Sequence, residues 1–256
     1  MLTIIVIAKN EELMIGDCLK SIQFADEIIV IDNGSTDNTA KISIKFKAKV
    51  FKTNLSGWDH LHNLGSQKAN GNWILYIDAD ERVSGSLKKQ IQKITSFPKS
   101  DYSAYCISRQ NNYLGKQMKY GGWGDDSVIR LFEKSKLFGW FGSLHEQPRY
   151  SGNLGKIIDP IIHYSHRDLY SMTEKTIIFT NYEAQNRINI HHPPVIWWRF
   201  IRVMLSEFYL RFIKLSAWKD GSEGIIDGIF QIYNSFIIYS RLWELQNDQN
   251  QNRLHL

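Results

Sequence analysis

Cysteine is scarce in this chain: only Cys18 and Cys106 occur among its 256 residues, and both stand in apolar stretches of the sequence. Two such cysteines exclude a disulfide-based scaffold and indicate a reducing compartment. The apolar run at the N-terminus is too short for a signal peptide and has no basic region before it. No charge-free run reaches the length of a transmembrane helix. We therefore expect a cytoplasmic protein.

Glycine-rich phosphate-binding loops are also missing. Neither the dinucleotide fingerprint nor the Walker sequence follows the first predicted strand, which excludes NAD and ATP sites of those types. Internal repeats are absent, and the one biased segment is a short Gln/Asn-rich tail after Gln246. The formal net charge of +5 is compatible with an anionic partner without requiring one. The length allows one large domain, or one domain with an appendage.

What the sequence does contain is a strand end rich in carboxylates. The apolar, β-prone run at residues 73–77 is followed by Asp78, Asp80 and Glu81. Ligands of open α/β sheets bind just outside the carboxyl ends of the strands. Alternating carboxylates suit a divalent cation that keeps water or phosphate oxygens as further ligands. The competing interpretation at this point is a solvated acidic loop.

Three further β-prone runs precede this strand, at residues 3–8, 27–31 and 48–51. Segments with helical periodicity separate them, so the predicted fold class is α/β with a mostly parallel sheet and flanking helices. Asn10 is predicted to cap the first helix. Asp32 follows the second strand, so it should lie on the same edge as Asp78, where it could accept hydrogen bonds from a ribose or a uracil imide.

The composition changes in the second half of the chain. Residues 111–155 are rich in glycine and aromatic side chains, which is typical of strands and loops that close over a site. After Asp168 the pattern becomes helical, with a break at residues 191–194. We predict an α/β domain over residues 1–165 and a helical C-terminal region over residues 166–256.

One helical segment of that region has two contrasting sides. An apolar, aromatic side opposite a basic side is typical of a helix that lies in an anionic membrane interface. An apolar stripe also occurs on a helix that packs against its own domain, and both interpretations stay open. The apolar side comprises Trp197, Trp198, Ile201, Met204, Leu205, Phe208, Phe212 and Leu215, and the basic side comprises Arg199, Arg202, Arg211 and Lys214.

Three strand-end motifs carry a family resemblance. They are Ile-Ala-Lys-Asn-Glu-Glu at 7–12, Ile-Asp-Asn-Gly-Ser-Thr-Asp at 31–37 and Leu-Tyr-Ile-Asp-Ala-Asp-Glu at 75–81. In this order they resemble the family 2 glycosyltransferases. Later motifs are similar to those of the lipopolysaccharide-core β-1,4-glucosyltransferases within that family. These later motifs lie at 121–123, 129–132, 144–146, 162–164 and 220–224.

The resemblance implies a GT-A fold in the first domain, a UDP-sugar donor and a metal-dependent, inverting transfer of a hexose. UDP-glucose would be the donor and a lipid-linked inner-core sugar of lipopolysaccharide the acceptor, with peripheral contact at the cytoplasmic face of the inner membrane. A nucleic-acid partner is not implied. The cofactor would be Mn²⁺ or Mg²⁺, which neutralises charge on the departing UDP.

The resemblance also implies roles for individual residues. The nucleotide pocket would comprise Lys9, Asn10, Glu11, Asp32 and Asp78. The metal would be bound by Asp80, with His163 completing its shell. Glu146 would be the general base for the acceptor hydroxyl, with Asp125, Asp126 and Glu81 as rivals. Candidates for contacts to phosphate or acceptor are Arg130, His145 and Trp123.

Several alternatives stay open. His62 stands beside Asn63 where the family pattern favours a basic residue, so in this segment the sequence departs from the pattern that contacts the diphosphate. Arg130 and Trp123 could be structural, and His163 could be an ordinary polar residue. A sugar nucleotidyltransferase would also place paired aspartates on metal ions, but it would release pyrophosphate. A non-catalytic module at the membrane surface would bind the nucleotide sugar without turnover.

Overall fold

The computed structural model describes residues 1–96, 101–142 and 146–254. The chain forms two compact units, one comprising Met1–Gln110 and Asp126–Tyr164 and the other comprising Asn111–Asp125 and Ser165–Leu256. The second unit therefore includes residues 111–125 in addition to the C-terminal segment. The assignment of a catalytic domain and a membrane-interfacial region to the chain stays a prediction.

The first unit begins with the predicted alternation of strands and helices. β1 pairs in parallel with β2 and β4, and β2 pairs in parallel with β3. Within β1, Ile7 pairs with Asp78 of β4 and Ala8 with Asp32 of β2, so both aspartates end strands at one edge of the sheet, as predicted. The elements are β1 (Leu2–Ala8), α1 (Ile15–Ser21), β2 (Glu27–Asp32), α2 (Thr39–Lys45), β3 (Lys49–Lys52), α3 (Trp58–Lys68) and β4 (Trp73–Asp78).

Antiparallel strands complete the sheet. Among the described residues its strands run in the order β3-β2-β1-β4-β8-β6-β11-β5, with β8 antiparallel to β4 and β5 antiparallel to β11. β9 and β10 form a separate two-stranded ribbon. The remaining elements are β5 (Glu81–Val83), α4 (Gly85–Ser96), β6 (Tyr102–Tyr113), β7 (Lys116–Gln117), β8 (Ser127–Glu133), β9 (Leu137–Phe141), β10 (Gln147–Tyr150) and β11 (Asn153–His166).

The core lies on both faces of this sheet. All seven residues of β1 are buried. Ile4 and Val6 join a cluster on one face, and Ile5 and Ile7 join a second cluster on the other. Because successive strand residues point to opposite faces, a continuous apolar run is required wherever both faces are covered. The position of the acidic strand ends therefore follows from the apolar runs before them.

The predicted cap of α1 by Asn10 is wrong. The helix begins at Ile15, and Met14 occupies the cap position without a side-chain hydrogen bond. Asn10 instead adopts a left-handed conformation, with φ of 56°, which asparagine tolerates better than most residues. Its side chain accepts a hydrogen bond from the Thr36 N–H at 2.8 Å. Asn10 therefore connects two loops rather than starting a helix.

The second unit is largely helical after residue 168, as predicted. Asp168 caps α5 by accepting a hydrogen bond from the Ser171 N–H at 2.7 Å. The predicted break at residues 191–194 separates α5 from α6. In the described part of the chain, helices that combine the length and apolarity needed to cross a bilayer are absent. The helices are α5 (Leu169–Asn189), α6 (Trp197–Phe208) with a π-helical continuation (Tyr209–Lys214), and α7 (Gly221–Leu254).

Candidate active site

Asp32 presents an unusual buried carboxylate at the end of β2. The residue is 1% exposed, and its Oδ1 accepts a hydrogen bond from the Ser35 N–H at 3.1 Å. Its Oδ2 is buried and has no hydrogen-bond partner among the described residues. A buried carboxylate oxygen without a donor costs free energy, so this atom is suited to a donor that a ligand supplies.

The loop after β1 and the loop after β2, which begins at Asp32, are joined by hydrogen bonds. The Asn10 N–H donates to Ser35 Oγ at 2.9 Å, and the Glu11 N–H donates to Thr39 Oγ1 at 2.8 Å. Together with the bond from Thr36 to Asn10, these contacts fix the β1–α1 loop against the β2–α2 loop. Lys9, Asn10 and Glu11 are thereby placed beside the strand end that carries Asp32, while their contact with a nucleotide stays a prediction.

Arg130 of β8 lies among several carboxylates. Its Nη2 is 2.5 Å from Asp78 Oδ2, and the residue is buried. Burial lowers the pKa of Arg130, but the charges of Asp78, Glu81 and Glu146 outweigh this effect and raise the pKa above its usual value. The structure therefore brings three sequence-predicted carboxylates around one guanidinium. A role of Arg130 in phosphate binding stays a prediction.

His62 supports Arg130 from α3. Its Nδ1 is 2.8 Å from the Trp58 carbonyl oxygen, which can only accept, so Nδ1 carries the proton and Nε2 accepts from Arg130 Nη1 at 3.4 Å. The ring stacks on Trp140 with centroids 4.3 Å apart. Burial, assisted by the positive charge of Arg130, lowers the pKa of His62 to about 4. His62 is therefore a neutral, buried support for Arg130, a contact that the sequence did not reveal.

Glu81 organises the turn after β4. Its side chain is fully buried, its Oε2 accepts from the Asp78 N–H at 2.9 Å, and its Oε1 lies 3.6 Å from Arg109 Nη1. Burial, together with the charge of Asp78, raises the pKa of Glu81 to about 7. Arg109 also binds Asp126, with 2.7 Å between Nε and Oδ2. Two of the carboxylates that rival Glu146 as the base are thus engaged with Arg109.

The predicted metal ligands lie close together. Asp80 Oδ2 is 3.7 Å from His163 Nε2, and the Asp80 carbonyl accepts from the Tyr164 N–H at 2.9 Å. Within the described ranges, no group of three or more His, Cys, Asp or Glu side chains is arranged to hold a metal ion. One carboxylate and one imidazole at this distance could serve as two ligands of a divalent cation whose other positions are taken by water and phosphate oxygens.

The remaining candidate residues have different settings. Glu146 is half-buried just before β10, and His145 lies outside the described residues. Asp125 is exposed and belongs to the second unit. Trp123 also belongs to the second unit, where its Nε1 donates to Asp227 Oδ2 at 2.7 Å. This bond fixes the indole within that unit, and its stacking on a sugar stays a prediction.

The motif at residues 220–224 has a visible structural role in the second unit. Asp220 is buried, and its Oδ2 accepts from the backbone N–H groups of Lys119 and Tyr120 at 2.9 and 2.7 Å. With the bond from Trp123 to Asp227, this contact holds the glycine-rich segment at 119–123 against the start of α7. The motif was visible in the sequence. The hydrogen-bond partners of Asp220 lie about 100 residues earlier in the chain, so the sequence alone could not identify them.

Several known proteins similar to this chain are named as glycosyltransferases. The family described as Glycosyl transferase family 2 matches residues 3–147, which is more than half of the chain. An uncharacterized glycosyltransferase of Rickettsia typhi is 26% identical over 260 residues, covering 94% of this chain and 86% of its own length. The lipopolysaccharide core biosynthesis glycosyltransferase LpsC of Rhizobium meliloti is 20% identical over 257 residues, with coverages of 95% and 92%.

A solved structure shares the fold. The mannosyltransferase PcManGT from Pyrobaculum calidifontis, in complex with GDP-Man and Mn²⁺, matches with a TM-score of 0.50 and 14% identity over 96% of this chain and 86% of that one. The predicted GT-A fold is confirmed. The parallel strands β2 and β4 end at Asp32 and Asp78, and both strand ends lie within the matched residues 3–147. Because this family match covers more than half of the chain, the chain belongs to glycosyl transferase family 2.

Proposed function

We propose that this glycosyltransferase transfers glucose from UDP-glucose to an inner-core sugar of lipopolysaccharide, with inversion at the anomeric carbon and with a divalent metal. The observation that carries a nucleotide-sugar donor is the buried Asp32 Oδ2, which lacks a donor among the described residues. The uracil N3–H or a ribose hydroxyl would supply that hydrogen bond. The similarity to LpsC, a lipopolysaccharide core biosynthesis glycosyltransferase, supports the choice of acceptor.

The donor would lie along the edge formed by the ends of β1, β2 and β4. Lys9, Asn10 and Glu11 would line the nucleotide pocket beside Asp32, because their loop is fixed to the Asp32 loop. Asp78 would contact the ribose or metal-bound water, with its orientation set by Arg130. Ligands of open α/β sheets bind at such strand ends, which supports this placement.

Asp80 and His163 would hold the metal, since their side chains face each other at 3.7 Å. PcManGT, which has the same fold, was crystallised with Mn²⁺. A divalent cation at this position would supply Lewis-acid stabilisation of the departing nucleoside diphosphate. We propose Mn²⁺ or Mg²⁺ as the cofactor, because a carboxylate oxygen and an imidazole leave room for phosphate and water ligands.

Glu146 would act as the general base. In the proposed reaction the acceptor hydroxyl attacks the anomeric carbon, the bond to the diphosphate breaks, and the hydroxyl proton passes to the Glu146 carboxylate. Glu81 is fully buried, and the partly exposed Asp126 is held by Arg109 at 2.7 Å, which argues against either as the base. Glu146 is half-buried and close enough to Arg130 to affect its pKa.

The transfer assay tests this function. Purified protein is incubated with UDP-glucose and Mn²⁺, with and without core lipopolysaccharide that lacks its outer sugars, and UDP release and product mass are measured. We expect UDP release that depends on the acceptor and a product heavier by one hexose. Asp80→Ala should abolish both, whereas Asp17→Ala, which removes an exposed carboxylate on α1, should leave them unchanged.

The alternatives give different results in the same assay. Release of pyrophosphate from a nucleoside triphosphate and a sugar phosphate would identify a nucleotidyltransferase. Metal-dependent binding of UDP, without release of UDP from any UDP-sugar, would identify a binding module that has no transferase activity. Transfer from another UDP-sugar, but not from UDP-glucose, would keep the enzyme class and overturn the proposed donor.

A further inference from the structure

One side of α6 packs against the rest of the second unit. Phe200 and Val203 pack against a buried cluster that includes Val195, Tyr239 and Leu242. The ring of Phe200 lies 5.9 Å from that of Phe236 on α7. None of the twelve residues of α6 is buried, so this helix has a second side that its own unit leaves uncovered.

The uncovered side is a continuous apolar ridge. Trp197, Ile201, Met204, Leu205 and Phe208 recur at helical spacing, so they share one face of α6. Tyr209 and Ile213 add exposed apolar surface on the π-helical continuation. Trp197 is 74% exposed and Leu205 is 64% exposed, and neighbouring exposed apolar side chains of this kind are typical of interaction surfaces. We call this face the α6 ridge, and it comprises Trp197, Ile201, Met204, Leu205, Phe208, Tyr209 and Ile213.

Basic side chains flank the α6 ridge. The guanidinium groups of Arg199 and Arg202 lie 5.3 and 5.4 Å from the ring centroid of Trp198. Lys214 is exposed at the end of the π-helical turn. Between residues 196 and 215 the one acidic residue is Glu207, and it is already paired with Arg211 at 3.2 Å. The ridge is therefore apolar and aromatic, with a net positive border.

We propose that the α6 ridge inserts into the interface of an anionic lipid bilayer, with α6 lying along the membrane plane. Trp197 and Tyr209 of the ridge, and Trp198 at its basic border, combine an apolar ring with a polar group, which is the composition favoured at the lipid headgroup level. The basic border is attracted to anionic headgroups, while the apolar side chains bury their surface among the acyl chains. The basic border and the apolar side chains of the α6 ridge therefore both fit an anionic lipid bilayer.

A second copy of the chain fits this face less well. A symmetric pair of ridges would place the same border of Arg199, Arg202 and Lys214 from both copies close together, and like charges repel. The biological role of this docking rests on the proposed function. A lipid-linked acceptor is confined to the bilayer surface, so an enzyme docked there would meet it directly.

Vesicle sedimentation with the full-length protein tests the proposal. Phosphatidylcholine vesicles with and without phosphatidylglycerol are the probe, and tryptophan emission is recorded in parallel. We expect binding that requires phosphatidylglycerol, weakens with added salt and shifts the emission to shorter wavelength. Leu205→Glu should weaken vesicle binding at least ten-fold, because it places a charge in the middle of the ridge.

The matched control is Ile44→Glu, which replaces an exposed isoleucine of α2 in the first unit. It should bind vesicles as the wild type does, and thermal unfolding followed by circular dichroism should show both variants folded. Equal vesicle binding by wild type and Leu205→Glu, or no binding at all, would overturn the proposal. A dimer in sedimentation equilibrium that Leu205→Glu dissociates, without vesicle binding, would assign the ridge to a second copy.

The transferase proposal is separable from this one. Acceptor-dependent UDP release with a detergent-dispersed acceptor, combined with absent vesicle binding, would leave the enzyme activity intact and overturn only the membrane surface. Vesicle binding without transfer of any sugar would keep the membrane surface and overturn the proposed transferase activity.

Discussion

Arg130 of β8 and Asp78 of β4 form an ion pair with 2.5 Å between Nη2 and Oδ2, in which the arginine is buried and the aspartate side chain is 33% exposed. This pair joins an antiparallel strand to the parallel strand end that leads into Asp80. Because the guanidinium also contacts His62, it connects α3 with both strands. The proposed nucleotide residue Asp78 is therefore held by a contact that spans 52 positions in sequence.

Arg130→Met is expected to destabilise the protein strongly. Removing the guanidinium leaves the Asp78 carboxylate without its partner and takes a positive charge away from Glu81 and Glu146. Because Asp78 is partly exposed, we expect a loss of about 2–3 kcal/mol, below the cost of about 3–5 kcal/mol for breaking a fully buried pair. The free energy of unfolding from urea titration measures this loss. Arg149→Met, at an exposed position on β10, is the control and should change it by about 1 kcal/mol or less. Equal losses for both variants would show that the carboxylates do not rely on Arg130.

His62 is expected to stay neutral down to about pH 4. Its pKa is lowered from an ordinary value of 6.5, so the unfolded chain takes up a proton at His62 before the folded protein does. Stability should therefore fall as the pH drops from 6.5 towards 4, and His62→Gln should remove that contribution. NMR titration of the imidazole checks the pKa directly. Titration near pH 6.5 would contradict the buried, neutral setting.

Glu27 is expected to stabilise the fold above pH 4.5. Burial raises its pKa, but hydrogen bonds from Lys49, Thr3 and Asn70 outweigh burial and lower the pKa to about 2. The contribution is present above the unfolded value of 4.5 and is lost as the pH falls towards 2. Glu27→Gln should therefore lower the free energy of unfolding by about 2–3 kcal/mol at pH 7. Between pH 4.5 and about 2, the stability of this variant should depend less on pH than that of the wild type. Urea unfolding across this pH range is the measurement.

Glu146→Gln is expected to lower kcat by about 10²- to 10⁴-fold, because the glutamine amide cannot take the acceptor proton. Binding of UDP should be unchanged, which calorimetric titration checks. Asp125→Asn is the informative partner variant, since Asp125 is an exposed rival for the same role. A normal kcat in Glu146→Gln together with a large loss in Asp125→Asn would transfer the role of base to Asp125.

Local patterns were sufficient to predict the parallel half of the sheet. The apolar runs of β1, β2 and β4 fix strand type, and the direction of the strands then places Asp32 and Asp78 at one edge. The helix over 169–189 and the break before α6 also follow from periodicity and from Pro193 and Pro194.

Contacts between distant segments were not predictable in the same way. Asn10 has the chemistry of a helix cap, but it bonds to Thr36 in another loop. The tautomer of His62 depends on Trp58 and Arg130, which no local pattern connects. For α6 the sequence showed an apolar side, but only the structure showed that Phe200 and Val203 form the packed side and leave the ridge exposed.

UDP affinity in Asp32→Asn tests most directly whether Asp32 receives the nucleotide. Asparagine can still accept from the Ser35 N–H, so the loop should persist, but its amide cannot replace the charged acceptor at Oδ2. Isothermal titration with UDP and Mn²⁺ should show affinity at least about ten-fold weaker than wild type, from the loss of a charged hydrogen bond. Asp17→Asn should bind UDP as wild type does. Undiminished affinity in Asp32→Asn would contradict the account.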